Sequence, residues 1–128
     1  MIRILGGMDL RTVLPCDASS VGTARQLVRR QLAKVADPSV VADASLLVSE
    51  LVTNAIIHGR TDVKLHAGVR HGVFRAEISD GNPVVPAPRR PRSLAATGRG
   101  LLLIDEISSR WGVKNTRSGK TIWFEIAF

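Results

Sequence analysis

At 128 residues, 45% hydrophobic and 23% charged, the chain has the make-up of one ordinary globular domain, long enough to build a core without covalent staples. The lone Cys16 excludes an internal disulfide, and no Cys/His spacing suggests zinc. A net charge of +7 invites a nucleic-acid reading, but the basic residues form no helical stripe and two Trp, three Phe and no Tyr offer few stacking platforms. Nucleic acid is therefore a weak candidate partner.

The apolar stretches read as too short to span a bilayer, and the opening Met1–Met8 shows no h-region with a cleavage site. A cytoplasmic protein is expected, a single domain over residues 1–128 with an ordered core over 8–128 and translation from Met1 or Met8. Leu10 to Cys16 reads as a strand with Cys16 a small apolar residue at its end. Asp17 or Ser19 can cap a helix to about Val35, with Val21, Ala24, Leu27, Val28 and Leu32 on its core face. Asp37 and Pro38 then supply N-cap and first position of a second helix, which stops at Gly59.

Along that second helix Val48, Leu51, Val52, Ala55 and Ile56 form one apolar arc. Glu50, Asn54 and His58, at i, i+4 and i+8, make a polar row on the other side. Leu46, Leu47 and Ile57 flank the row, which argues against a solvated face. Polar groups in such surroundings need partners, since one left unpaired costs about 1–3 kcal/mol. A structural ion pair with a distant arginine and a functional site would meet that need equally well.

Two strands follow. Val63, Leu65, Ala67 and Val69 alternate with polar residues, His71-Gly72 makes a turn, and Val73 to Asp80 pairs back. Asp80 shares the parity of Phe74, Ala76 and Ile78, so the pleat aims its carboxylate at the covered face. Capping of the Gly81-Asn82-Pro83 turn is the plainer explanation of the same aspartate. Residues 83–97, with Pro86, Pro88 and Pro91 among Arg89, Arg90 and Arg92, read as a long loop of the kind that forms lids. Gly98-Arg99-Gly100 leads into a helix at Leu101–Ile107, where orphan N–H groups bind anions. Strands at Trp111–Val113 and Thr121–Phe128 close the chain around a turn at Arg117–Gly119. This order suits an α+β two-layer sandwich, with one mixed, mostly antiparallel sheet and the helices on one face. The other face is left exposed or used for association.

Glu50-Leu-Val-Thr-Asn54-Ala-Ile-Ile-His58-Gly59 resembles the N-box of the GHKL ATPase superfamily, and most closely that of anti-sigma-factor serine/threonine kinases of the SpoIIAB and RsbW type. Asp80-Gly81 sits where the G1 box falls, Gly98-Arg99-Gly100-Leu101 resembles G2, and Gly119-Lys120-Thr121 occupies G3. The resemblance implies the Bergerat fold, with ATP and Mg²⁺ as ligands and 83–97 as the ATP lid. It makes Asn54 the metal ligand, Glu50 the catalytic base, and Asp80 the acceptor for the adenine amino group. His58, Asn82 and Thr121 would line the nucleotide site, and the backbone from Gly98 through Arg99 and Gly100 to Leu101 would cradle the phosphates. It further implies a regulator of transcription that phosphorylates an antagonist protein and binds a sigma factor, acting as monomer or homodimer. A non-catalytic ATP-binding interaction module is the alternative, because the chain departs from the pattern in three places. Asn82 stands where G1 carries a glycine, and no arginine immediately precedes G2, leaving Arg92 or Arg99 to substitute. In G3, Lys120 replaces the threonine that supports the adenine, unless Thr121 takes over its role. Asp80→Asn is expected to weaken ATP binding with the fold intact.

Overall fold

The computed structural model describes residues 3–5, 9–83 and 96–128, with the side chains of 9–83 and 101–128. The expected lid over 83–97 lies, but for its ends, outside the described residues. In chain order the elements are β1 (Arg3–Leu5), β2 (Asp9–Leu14), α1 (Ser19–Leu32), α2 (Pro38–Asn54) and a π-helical turn (Ala55–Gly59). Then come β3 (Val63–Arg70), β4 (Val73–Asp80), α3 (Ala96–Ile107), β5 (Arg110–Thr116) and β6 (Gly119–Ala127).

Among the described residues the strands form one six-stranded sheet in the order β1-β2-β3-β4-β6-β5, and every pairing is antiparallel. The sheet is therefore not mixed. The crossover through α3 skips one position, and β6 returns between β4 and β5, so these two, which run the same way, never meet. Because β4 ends, β6 starts and the π turn ends beside the same residue, Asp80, one end of the sheet gathers several chain termini of elements.

The covered layer is built by alternation. Leu10 and Leu14 on β2, Val63, Leu65 and Ala67 on β3, and Phe74, Ala76 and Ile78 on β4 are buried, as are Ile122, Phe124 and Ile126 on β6. Against them lie Ala24, Val28 and Leu32 of α1, Leu47, Val48, Leu51 and Val52 of α2, and Leu101 and Ile104 of α3. α2 is the central helix, packed between α1 and α3 and against β4 and β6. At about 1.5–3 kcal/mol for each large apolar side chain buried, this layer is the main stabiliser of the fold.

The open face is polar. His66 Nε2 lies 2.7 Å from Asp9 Oδ1, and its Nδ1 lies 3.5 Å from Glu77 Oε1. Arg75 donates to Glu77 and Glu125 and stacks 4.2 Å from the Trp123 ring centroid. Burial would raise the Glu77 carboxyl, but the hydrogen bond and charge of Arg75 outweigh it and hold it below its usual 4.5.

Several boundaries differ from expectation. β1 is an extra strand, too short and too close to Gly6-Gly7 to show a period. β2 stops at Leu14, and Cys16 is exposed rather than packed, its N–H donating to Asp62 Oδ1 at 3.3 Å. α1 ends at Leu32, while Asp17 Oδ2 accepts the Ser19 hydroxyl and, at 3.1 Å, the Ser19 N–H, which together keep its carboxyl below the usual value. Leu46 and Ile57 are exposed, so they do not wall in the polar row. The helical run Pro38–Gly59 is in fact long and apolar enough to cross a membrane. It spends that apolarity on the core instead, with α1, α3 and the sheet around it.

Candidate functional site

The polar row of the second helix is real for two of its three members. Glu50 and Asn54 are buried on α2, at 8% and 4% exposure. Their neighbourhood is polar by construction: Ser49 Oγ donates to Ser45 O at 2.7 Å and accepts the Arg25 Nε–H at 3.0 Å. Arg25 of α1, which the sequence reading did not select, thus brings a guanidinium to the residue beside Glu50. His58 falls out of the row and is exposed. The cause is the π turn, whose wider i→i+5 geometry rotates the positions after Asn54 away from the i+4 line. His58 contributes its backbone instead, its carbonyl accepting the Asn82 Nδ2–H at 2.9 Å.

The π turn also changes how the helix stops. Arg60, not Gly59, takes the left-handed conformation that ends it, with φ 55° and ψ 31°. Gly59 is needed for a different reason. A Cβ there would lie 2.7 Å from Asp80 Cγ, so only glycine lets the helix end close onto β4. Gly119 presses on the same residue from β6, where an added Cβ would sit 2.0 Å from the Asp80 carbonyl oxygen.

Asp80 is therefore enclosed. Its side chain is 4% exposed, on the covered face as its parity predicts. Oδ1 accepts the Asn82 N–H at 2.8 Å, so the turn-capping role is also fulfilled. The second partner is Lys120, which faces Asp80 across the β4–β6 ladder and is itself 3% exposed in the side chain. Its Nζ lies 3.0 Å from each carboxylate oxygen and donates to the Asn82 carbonyl, also at 3.0 Å. Asp80, Asn82 and Lys120 form a buried polar knot under the helix end.

Thr121 is not part of it. It pairs with Ser79 on the opposite side of the sheet, hydroxyl to hydroxyl at 2.6 Å. Of the two alternatives for the third glycine box, Lys120 is thus the residue on the Asp80 face, and Thr121 is corrected out of the site. The alternation of Ile122, Phe124 and Ile126 carried that signal, since it puts Lys120 on the core side.

α3 also begins earlier than expected, at Ala96 rather than Leu101. Gly98, Arg99 and Gly100 lie inside its first turns, and the N–H groups such a helix leaves over end at Gly98. Leu101 is a core side chain, 2% exposed. The side chain of Arg99 lies outside the described residues.

Asn54 offers a hard amide oxygen from inside the covered layer, the donor type Mg²⁺ takes. Among the described residues no cluster of His, Cys, Asp or Glu could hold a metal, so such a cation would draw its other ligands from phosphate and water. The donor set fits a nucleotide-borne Mg²⁺ and not a resident metal.

Residues 14–126 match the model of the histidine kinase-like ATPase domain. The chain belongs to that family. Its fold agrees with solved structures of the same kind. Over 93% of its length it superposes on the structure of the RsbU and RsbW domains of Rv1364c from Mycobacterium tuberculosis, with a TM-score of 0.74 and 23% identity. The histidine kinase domain of the blue-light activated histidine kinase from Erythrobacter litoralis EL346 matches over 88%, with a TM-score of 0.55 and 19% identity. A longer structure of that kinase matches over 88% at 0.55 and 18%. The chain spans 32%, 61% and 42% of those three chains, and at these identities the likeness is one of fold. No curated protein matches it. In this histidine kinase-like ATPase domain the covered Asp80 lies against Gly59, at the end of the helical run that carries the buried Glu50 and Asn54.

Proposed function

We propose that this chain binds ATP with Mg²⁺ and passes the terminal phosphate to a serine or threonine of an antagonist protein, as an anti-sigma-type regulator in the cytoplasm. The observation that carries the reading is Asp80. A carboxylate enclosed in the covered layer at the end of the helical run that bears Glu50 and Asn54 is costly even with Lys120 and the Asn82 N–H as partners, and recognition of a base amino group gives a reason for keeping it. Mg²⁺, held through the Asn54 amide oxygen, would neutralise phosphate charge. Glu50, one turn earlier on α2, is in this reading the base that accepts the proton of an incoming hydroxyl. Arg25, anchored on Ser49, adds positive charge beside Glu50. A sigma factor is the expected second partner, and the domain's own copy a third.

Calorimetry of ATP binding with and without Mg²⁺ tests the reading. Asn54→Ala should weaken binding only when Mg²⁺ is present, and equal weakening without the metal would refute the ligand assignment. Transfer from labelled ATP to a candidate antagonist, compared between wild type and Glu50→Gln, separates the kinase from a module that only holds ATP.

A further inference from the structure

Among the described residues Lys120 is the only buried cationic side chain, and a buried lysine is unusual enough to require a reason. The ion pair with Asp80 supplies one, but hydrogen-bond bookkeeping shows the pair is not saturated. An ammonium has three N–H donors, and two of Lys120 go to Asp80 Oδ1 and the Asn82 carbonyl. A carboxylate has about four lone-pair positions, and Oδ1 takes the Asn82 N–H and the ammonium. What remains is acceptor capacity on Oδ2 and the third donor on Nζ, which are held to each other at 3.0 Å by the ion-pair contact alone, with no further hydrogen bond to either among the described residues.

We infer that Lys120 is a base-reading residue, which donates to ring nitrogen N1 of adenine while Asp80 accepts from the neighbouring amino group. This rests on the ATP reading above and adds a second determinant to it. Adenine presents a donor and an acceptor side by side on the edge remote from its ribose, the complement of the acceptor and donor left on Asp80 and Lys120. Guanine presents the same two positions with both polarities reversed, so it meets two mismatches. The rival view makes Lys120 a plug that the amino group must evict. Eviction would exchange a charged donor for a neutral one and leave a buried ammonium without its counter-ion, which is unfavourable in sign. The contact to Asn82 O further clamps Nζ in place, so the pair stays and reads the base.

The test is nucleotide binding to the intact protein by calorimetry, with ATP, 1-deaza-ATP and 7-deaza-ATP. Loss of the N1 acceptor should weaken binding by about tenfold or more, because it strands a charged donor, while 7-deaza-ATP should bind as ATP does. Lys120→Met should bind ATP and 1-deaza-ATP alike. Equal binding of ATP and 1-deaza-ATP by the wild type overturns the inference but leaves the ATP reading standing, as does a loss with 7-deaza-ATP instead. Tighter ATP binding by Lys120→Met would establish the plug in its place. Failure of the wild type to bind ATP removes both readings. The wild-type comparison stands even if the variant does not fold.

Discussion

Breaking the Asp80–Lys120 pair from one side should cost far more than removing it whole. Both side chains are at most 4% exposed, so Asp80→Asn leaves a buried ammonium with only the Asn82 carbonyl as a full partner. Losing one member of such a pair typically costs about 3–5 kcal/mol. The retained carbonyl contact puts this case near 3 kcal/mol, which for a domain of this size is a fall in melting temperature of about 10–15 °C. Lys120→Met strands a carboxylate that keeps the Asn82 N–H, and should cost about as much. The Asp80→Asn/Lys120→Met double variant removes both charges and should cost only about 1 kcal/mol, against about 6 kcal/mol for the two singles summed, a coupling of about 5 kcal/mol in a double-mutant cycle. Urea denaturation at neutral pH measures all four proteins. Single variants within 1 kcal/mol of wild type, or a double variant equal to the sum of the singles, would refute the buried-pair reasoning. The same arithmetic corrects the expectation that Asp80→Asn leaves the fold intact. The double variant is the cleaner base-site knockout, folded and poor in ATP binding.

Glu50→Gln should reduce phosphoryl transfer by about 10²–10⁴ while ATP affinity holds, and a large fall in melting temperature instead would make Glu50 a structural residue. Gly59→Ala drives a methyl to 2.7 Å from Asp80 Cγ and should destabilise by about 1–3 kcal/mol, whereas Gly22→Ala on α1, with nothing within 4 Å, should stabilise; calorimetric melts decide whether the two signs differ. Because the folded Glu77 carboxyl lies below 4.5, its contribution is complete above that pH and is lost as pH falls through the depressed value. Glu77→Gln should flatten that part of the acid limb, and an unchanged limb would dismiss the Arg75 contact as a source of stability.

The parts of the fold with a strong period were legible. β3, the His71-Gly72 turn with both residues at positive φ, and β4 fall where the alternation puts them, and the parity of Asp80 gave its burial. What escaped was set by geometry that one-dimensional patterns do not carry. The i+4 row of Glu50, Asn54 and His58 assumes a regular helix, and the π turn breaks it at its last member. Leu46 and Ile57 looked like walls because apolar residues on a surface are common and carry no period. Lys120 could be named as a departure in the third glycine box, but its ion pair needed the β4–β6 register. The start of α3 was misplaced because glycines inside a helix imitate a helix boundary.

The apolar character of the central helix has a consequence during synthesis. Residues 38–59 are made before any residue of β4, α3 or β6, which later pack against them. In that interval only α1 and the first two strands exist to shield the segment. A run apolar enough for a bilayer then presents to lipid and to chaperones the face it will later turn to the sheet. The order of the elements makes α1 a temporary cover as well as a permanent neighbour, and a chain shortened before β6 would leave its central helix exposed at the end that holds Asp80.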